Sequence, residues 1–237
     1  MNRINRFERN TAGRDLIVGD VHGHFTKLQE ALDAVGFDQA RDRLFSVGDL
    51  VDRGPECDQV MDWLAKPWFF PVTGNHEDMA IRWPDGSMDT GNYVANGGAW
   101  NISNPEALQR EISESLAALP LGIELKTEAG LVGIVHAECP FDDWALFRDT
   151  LADATKSRSH LDRVQATAQW SRTRIDYGDR SLVRGVRAVV VGHTPVPEHT
   201  VMGNVHYIDT GAWLGARCPW EPRFTLLDAA TLEVVKP

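Results

Sequence analysis

The sequence predicts a mixed α/β sandwich in one domain. Three observations carry that expectation. The first 75 residues alternate short apolar runs with helix-periodic segments, the rhythm of parallel strands joined by crossover helices. The later half adds further strand-like runs, among them "GLVGIVHA" (130–137) and "VRAVVVGH" (186–193). The three early runs all end in glycine followed by a polar residue, Gly19-Asp20, Gly48-Asp49 and Gly74-Asn75. Open α/β sheets bind ligands beyond the carboxyl ends of their strands.

Each element has its own warrant. "DLIVGD" (15–20) is an apolar run of strand length. "FTKLQEALDAVGF" (25–37) spaces Phe25, Leu28, Leu32 and Val35 on one helical face, with Gly36 as a stop. "RLFSVGD" (43–49) is the second strand, "CDQVMDWLAK" (57–66) a helix closed by Pro67, and "WFFPVTGN" (68–75) the third strand. Pro71 cannot donate to a ladder, so it places that strand at an edge or an irregularity. Residues 84–101 are polar and glycine-rich and read as loop. Asn104-Pro105-Glu106 opens a helix that runs to about Leu119 and stops before Pro120. Residues 138–180 read as a loop-and-helix excursion, and "NVHYIDTG" (204–211) and "RFTLLDAATLEVV" (223–235) as late strands, the last a candidate hairpin.

Bulk properties narrow the function classes. A chain of 237 residues is long enough for a sizeable core. The formal net charge of −10 disfavours a phosphate-backbone partner, so no nucleic acid is expected. Cys57, Cys139 and Cys218 are odd in number and form no CxxC pair, which argues against a disulfide framework or a zinc–thiolate site. The N-terminal stretch has no apolar segment of signal-peptide type, and no run approaches membrane-spanning length. The expected setting is the cytoplasm, with no membrane partner; nothing in the sequence bears on oligomeric state.

The strand ends collect Asp20, His22, Asp49, Asn75, His136 and His193. Oxygen and imidazole donors without sulfur suit manganese, iron, zinc or magnesium. Six are too many for one catalytic metal with open positions and enough for two metals sharing a carboxylate. Paired metals are suited to in-line displacement at phosphorus.

The ordered motifs "GDVHG", "GDLVDRG", "GNHE", "IVHAE" and "GHTP", spread from about residue 15 to about 215, resemble the PPP family of metal-dependent phosphoprotein phosphatases. "NGGAW", "ALPLGIEL", "HAECPFDD" and "YIDTGA" are similar to its small bacterial and bacteriophage members. The resemblance implies a calcineurin-like metallophosphoesterase fold and hydrolysis of phosphoserine or phosphothreonine, with phosphotyrosine also open. It implies two divalent ions, manganese foremost with iron or zinc allowed. Asp20, His22, Asp49 and His193 would hold the first ion, and Asp49, Asn75 and His136 the second. A hydroxide between the ions would attack directly, with no phosphoenzyme. Arg53 and Arg172 would bind substrate phosphate together with Asn75; Arg174 is the alternative to Arg172. His76 would be the general acid, oriented by Asp52.

Two other readings compete. A symmetrical diadenosine-tetraphosphate hydrolase shares the first motif but usually has "VARG" and often "GNHD", so Asp52 and Glu77 favour the phosphomonoesterase. A catalytically silent binding module predicts a missing ligand, and none of the six is missing. His24 reads as incidental or supporting, His160 and His199 as surface residues, and His206 as a possible supporting residue. Trp100, Trp144 and Trp213 read as packing residues, with Trp213 also able to line the pocket.

Overall fold

Alternate residues of β2 (Asp15–Val18) enter different cores. Leu16 and Val18 join one apolar cluster, and Ile17 joins another. A strand buried on both faces reads as a continuous apolar run, which is why "LIV" is unbroken. The same division recurs in β3 (Arg43–Ser46), where Leu44 and Phe45 part to the two clusters. The computed structural model describes residues 4–236.

The elements follow in chain order from β1 (Ile4–Phe7). After β2 come α1 (Phe25–Ala34), β3, a 3-10 turn at Cys57–Gln59 that runs into α2 (Val60–Leu64), and β4 (Phe69–Pro71). Then come α3 (Asn75–Arg82), α4 (Thr90–Ala95), α5 (Ala99–Ile102) and α6 (Glu106–Ala117). The second half runs β5 (Gly122–Thr127), β6 (Gly130–Val135), α7 (Trp144–Ala152), α8 (Arg158–Trp170), α9 (Thr173–Tyr177), β7 (Ala188–Val191), β8 (Thr200–Met202), β9 (Val205–Tyr207) and β10 (Leu226–Asp228).

Two sheets result, ordered β10-β2-β3-β4 and β1-β5-β6-β7-β9-β8. β2, β3 and β4 run parallel, and β10 closes the smaller sheet antiparallel to β2. Pro71 lies on β4, at the edge of that sheet, where its missing N–H breaks no interior ladder. Between the sheets sit Ile17, Phe45 and Val72 from one side and Ile123, Ile134 and Val190 from the other. Helix α1 packs Phe25, Leu28 and Leu32 on the outer face of the smaller sheet, and α7 and α8 cover the larger one. The layers are helix, sheet, sheet, helix. No helix of the described residues is long and apolar enough to cross a membrane.

The expected strands at 15–20, 43–49, 68–75, 130–137, 186–193 and 204–211 are all present in shortened form. The expected hairpin at 223–235 forms through β10 and the Leu227–Val234 bridge. Residues 84–101 depart from the loop expectation, since α4 and α5 lie there. Each is too short to show an apolar period; α4 is started by the Asp89 side chain accepting the Asn92 N–H. Helix α6 begins at Glu106 with Pro105, rather than Asn104, in the capping position. Strands β1, β5 and β8 were not expected as strands. β1 is polar, β8 is three residues long, and β5 shows as strand only once it pairs with β1 and β6.

Candidate active site

The parallel strands β2 and β3 deliver their carboxyl ends side by side, and β6 and β7 do the same from the other sheet. Asp20, His22, Asp49, Asn75, His136 and His193 therefore meet between the sheets, and all are buried. The backbone there is held in an unusual conformation. Among the described residues, six non-glycine residues have positive φ, and five of them are His22, Asp49, Asp52, Arg53 and His193. Side-chain-bearing residues avoid that region unless the surroundings enforce it, and such strain clusters at functional sites. Gly54 shows how tight the enforcement is: a Cβ there would overlap the His22 carbonyl oxygen.

Asp49 is the hub. His136 Nε2 stands 3.3 Å from its Oδ1, and His22 Nε2 3.5 Å from its Oδ2. His136 Nε2 and His193 Nδ1 both lie 2.9 Å from Asn75 Oδ1. Asp20 is anchored by the His193 N–H at 3.1 Å, and its Oδ2 is 4.0 Å from His22 Nε2. Two groups of convergent donors follow: Asp49, His136 and His193 form one, and His22, Asp49 and His76 the other.

The donor chemistry fits cations. His22 Nδ1 lies 2.9 Å from the Val51 carbonyl, and His136 Nδ1 lies 2.7 Å from that of Val47. A carbonyl only accepts, so in each ring Nδ1 donates and Nε2 is the nitrogen turned toward the site. Backbone partners of this kind orient metal-bound imidazoles.

The electrostatics are those of a crowded carboxylate–imidazole cluster. Burial raises Asp49, but His136, His76 and His22 outweigh it and hold the carboxyl well below its usual range. Burial lowers His136, yet the Asp49 charge overcomes this and raises it to about 9. Burial, then His136, lowers His193 to about 3. Burial, then the Asp209 charge, pushes Asp20 well above its usual value. A group of this kind is costly to leave unpaired, and a divalent ion would relieve it.

Beside the hub, His76 Nδ1 bonds Asp52 Oδ2 at 2.7 Å, both groups fully buried. His76 Nε2 points toward Asp49 Oδ2, 3.9 Å away, and has no hydrogen-bond partner. The exposed Arg53 reaches His22 Nε2 with Nη1 at 3.1 Å and stacks its guanidinium on Trp213 at 4.1 Å. Arg172 is exposed at the rim, donating weakly to Thr194 Oγ1 and the His193 carbonyl at 3.3 and 3.4 Å.

Some placements differ from expectation. The His193 ring joins Asn75 and His136 rather than His22, because its left-handed backbone and the N–H bonds to Asp20 turn Nδ1 toward α3. Arg174, the alternative to Arg172, is buried and donates to the Ser181 and Asp179 carbonyls, so it does not face the site. His199 is not a free surface residue: it stacks on His206 with Nε2 2.9 Å from Nδ1. Trp144 is core, as expected. Trp100 is more than packing, since its indole N–H donates to Asp52 Oδ1 at 2.7 Å. Trp213 lies against both Arg53 and His22. Glu77, read from the sequence only as a discriminator between families, accepts the N–H groups of Gly74, Asp49 and Leu50. Its place one residue after His76 was the available signal.

The chain is similar to known proteins in sequence and in fold. The chain is 34% identical over 204 residues to a protein of Salmonella typhimurium named serine/threonine-protein phosphatase 1, covering 85% of this chain and 88% of the relative. A symmetrical bis(5'-nucleosyl)-tetraphosphatase of Coxiella burnetii is 36% identical over 139 residues, 57% of this chain and 44% of that protein. The fold is similar to that of a Saccharomyces cerevisiae protein serine/threonine phosphatase, with TM-score 0.62, 16% identity, and coverage of 95% of this chain and 76% of that one. Residues 14–197 match the family model described as calcineurin-like phosphoesterase, a span that holds every strand end described above, and the chain belongs to that family.

Proposed function

We propose that the chain is a metal-dependent phosphoprotein phosphatase acting on phosphoserine and phosphothreonine, with phosphotyrosine also accepted. We read it as one domain over residues 1–237, because both sheets contribute to a shared inner core. The observation that carries the reading is the 2.7 Å bond from His76 Nδ1 to Asp52. Serine is a poor leaving group and needs a proton as it departs, and a carboxylate-held imidazolium supplies one. The Salmonella typhimurium relative named as a serine/threonine phosphatase, matched over most of both chains, supports the same substrate class.

Asp20, His22 and Asp49 would hold one divalent ion, and Asp49, Asn75, His136 and His193 the other, with Asp49 shared. Manganese is the favoured ion, and the donor set also accepts iron or zinc. Such ions, when bound, polarise phosphoryl oxygens and bring a water's pKa toward neutrality.

The chain's own residues do the rest. Arg53 presents a planar fork that binds two phosphate oxygens at once, and Trp213 beneath it limits its freedom. Arg172 stands at the rim as the second guanidinium, and Asn75 faces the same space. His76 Nε2 delivers its proton to the departing oxygen while Nδ1 stays bonded to Asp52. Burial lifts Asp52 above its usual carboxylate range, and the bonds from His76 and Trp100 pull it back toward the charged form.

The Coxiella burnetii match favours a second reading, hydrolysis of diadenosine tetraphosphate. Initial rates on a phosphoserine peptide and on diadenosine tetraphosphate, with metal-stripped protein and added manganese, separate the two. The peptide is expected to be the better substrate. Asp49→Asn is expected to lose at least about a hundredfold in turnover, in the range of a removed electrostatic stabiliser, and to bind manganese more weakly by calorimetry. Preference for the dinucleotide refutes the phosphoprotein reading, and near-normal manganese binding by Asp49→Asn refutes the shared-ligand role.

A further inference from the structure

The carboxylate that holds His76 is itself held from the opposite side. Asp52 Oδ2 accepts a hydrogen bond from His76 Nδ1 at 2.7 Å, and Asp52 Oδ1 accepts one from the Trp100 indole N–H at 2.7 Å. Asp52 is fully buried, so no solvent contact competes for either oxygen. A carboxylate fixed through one oxygen turns about its last torsion, which is broad. Fixed through both, its plane is set, and so is the direction of the imidazole bonded to it. The indole has a donor and no lone pair, so this contact can be made only to an accepting oxygen.

The segment that brings Trp100 is built for close approach. Residues 96–100 lie against the backbone of "DRG": a Cβ on Gly97, whose φ is 97°, would overlap the Arg53 nitrogen. A Cβ on Gly98 would overlap the Tyr93 ring, which is itself fully buried. The two glycines let α4 and α5 press onto Asp52 and Arg53, and Trp100 sits in the first turn of α5.

We propose that Trp100 is a positioning residue for proton donation by His76, an inference that rests on the phosphatase reading. It acts through Asp52 and does not touch substrate. In the step it serves, a water-derived oxygen bonds to phosphorus while the phosphorus–ester-oxygen bond breaks, and the proton on His76 Nε2 passes to that ester oxygen. That oxygen keeps the bonding pair and leaves as the alcohol. The imidazole becomes neutral, keeping its Nδ1 proton in the hydrogen bond to Asp52, and regains a proton at Nε2 from solvent. Without the indole bond the Asp52 plane turns, and Nε2 no longer points along the line to the leaving group.

The experiment compares substrates that differ in their need for that proton. Trp100→Phe, and a variant carrying 3-benzothienylalanine at position 100 to keep the ring size while removing the donor, are assayed on a phosphoserine peptide and on 4-nitrophenyl phosphate at saturating manganese. Turnover of the peptide is expected to fall about tenfold, a fraction of the 10²–10⁴ a general acid contributes, with KM changed less than about twofold. The nitrophenyl ester, whose leaving group departs without much help, is expected to lose far less. In a His76→Asn background the Trp100 change is expected to cost nothing further. Equal losses on both substrates, or the same tenfold loss with His76 already removed, overturn the proposal. If His76→Asn itself hurts both substrates equally, the acid role has failed and the Trp100 inference falls with it; if His76→Asn discriminates and the Trp100 variants do not, the inference alone has failed.

Discussion

Glu77 receives the backbone N–H of Asp49 on one carboxylate oxygen at 2.8 Å and that of Leu50 on the other at 2.7 Å. The first oxygen also takes the Gly74 N–H at 2.8 Å, which closes the start of α3. One side chain thus ties the loop after β3 to the helix that carries Asn75 and His76. Its burial, then the Asp49 charge, raises Glu77 to about 7.

Glu77→Gln tests that tie. A glutamine amide has one accepting oxygen and sets an N–H₂ against the remaining backbone donor. The variant is expected to lose about 1–3 kcal/mol of stability, the cost of an unsatisfied buried donor, and to bind manganese about tenfold more weakly. Thermal melts and titration calorimetry read the two effects. A variant with native manganese affinity would show that the Asp49 loop holds its geometry unaided.

Arg172 and Arg174 make opposite predictions although they are near neighbours in sequence. Arg172→Ala is expected to weaken inhibition by inorganic phosphate about tenfold, in line with a lost charged hydrogen bond, with the melting temperature unchanged. Arg174→Ala removes the buried donor to the Ser181 carbonyl at 2.8 Å and the contact with the exposed Asp179 at 3.5 Å. It is expected to cost about 1–3 kcal/mol and to leave phosphate affinity intact. Phosphate inhibition constants beside urea melts check both, and a reversal between the two variants would exchange their roles.

His206 makes the fold acid-sensitive. Burial, then the charges of His199 and Arg187, lowers it to about 4 from its ordinary 6.5. Between those values the unfolded chain binds a proton that the folded chain does not, so stability falls as pH drops through that window. The slope for one such group approaches ~1.4 kcal/mol per pH unit. Urea unfolding at pH 7.5, 6.5 and 5.5 is expected to show this loss, and His206→Gln is expected to flatten it. Parallel pH curves for the two proteins would remove His206 as its source.

Much of the site was readable along the chain because its chemistry is local. Asp20, Asp49 and Asn75 each follow a glycine at the end of an apolar run, and such runs end where a strand leaves the core. Helix α1 was readable for the same reason, from Phe25, Leu28 and Leu32 on one face. Where spacing was short or polar the sequence was silent. β1 and the two short helices α4 and α5 carry no period, and their identity depends on what they pair with or pack on.

The sequence by itself determined which residue types gather, since strand order and motif order set the inventory of candidate ligands. Only the tertiary structure decided which atoms meet. The His193 ring lies with Asn75 and His136, because β6 and β7 are register-locked neighbours and the His193 N–H groups with Asp20. Arg172 faces the site and Arg174 the interior, because α9 starts between them. Trp100 reaches Asp52 across the chain because two glycines admit α5 against the "DRG" backbone. Contacts of this kind join segments far apart in sequence. They are fixed by sheet register and close packing, neither of which leaves a periodic mark on either segment alone.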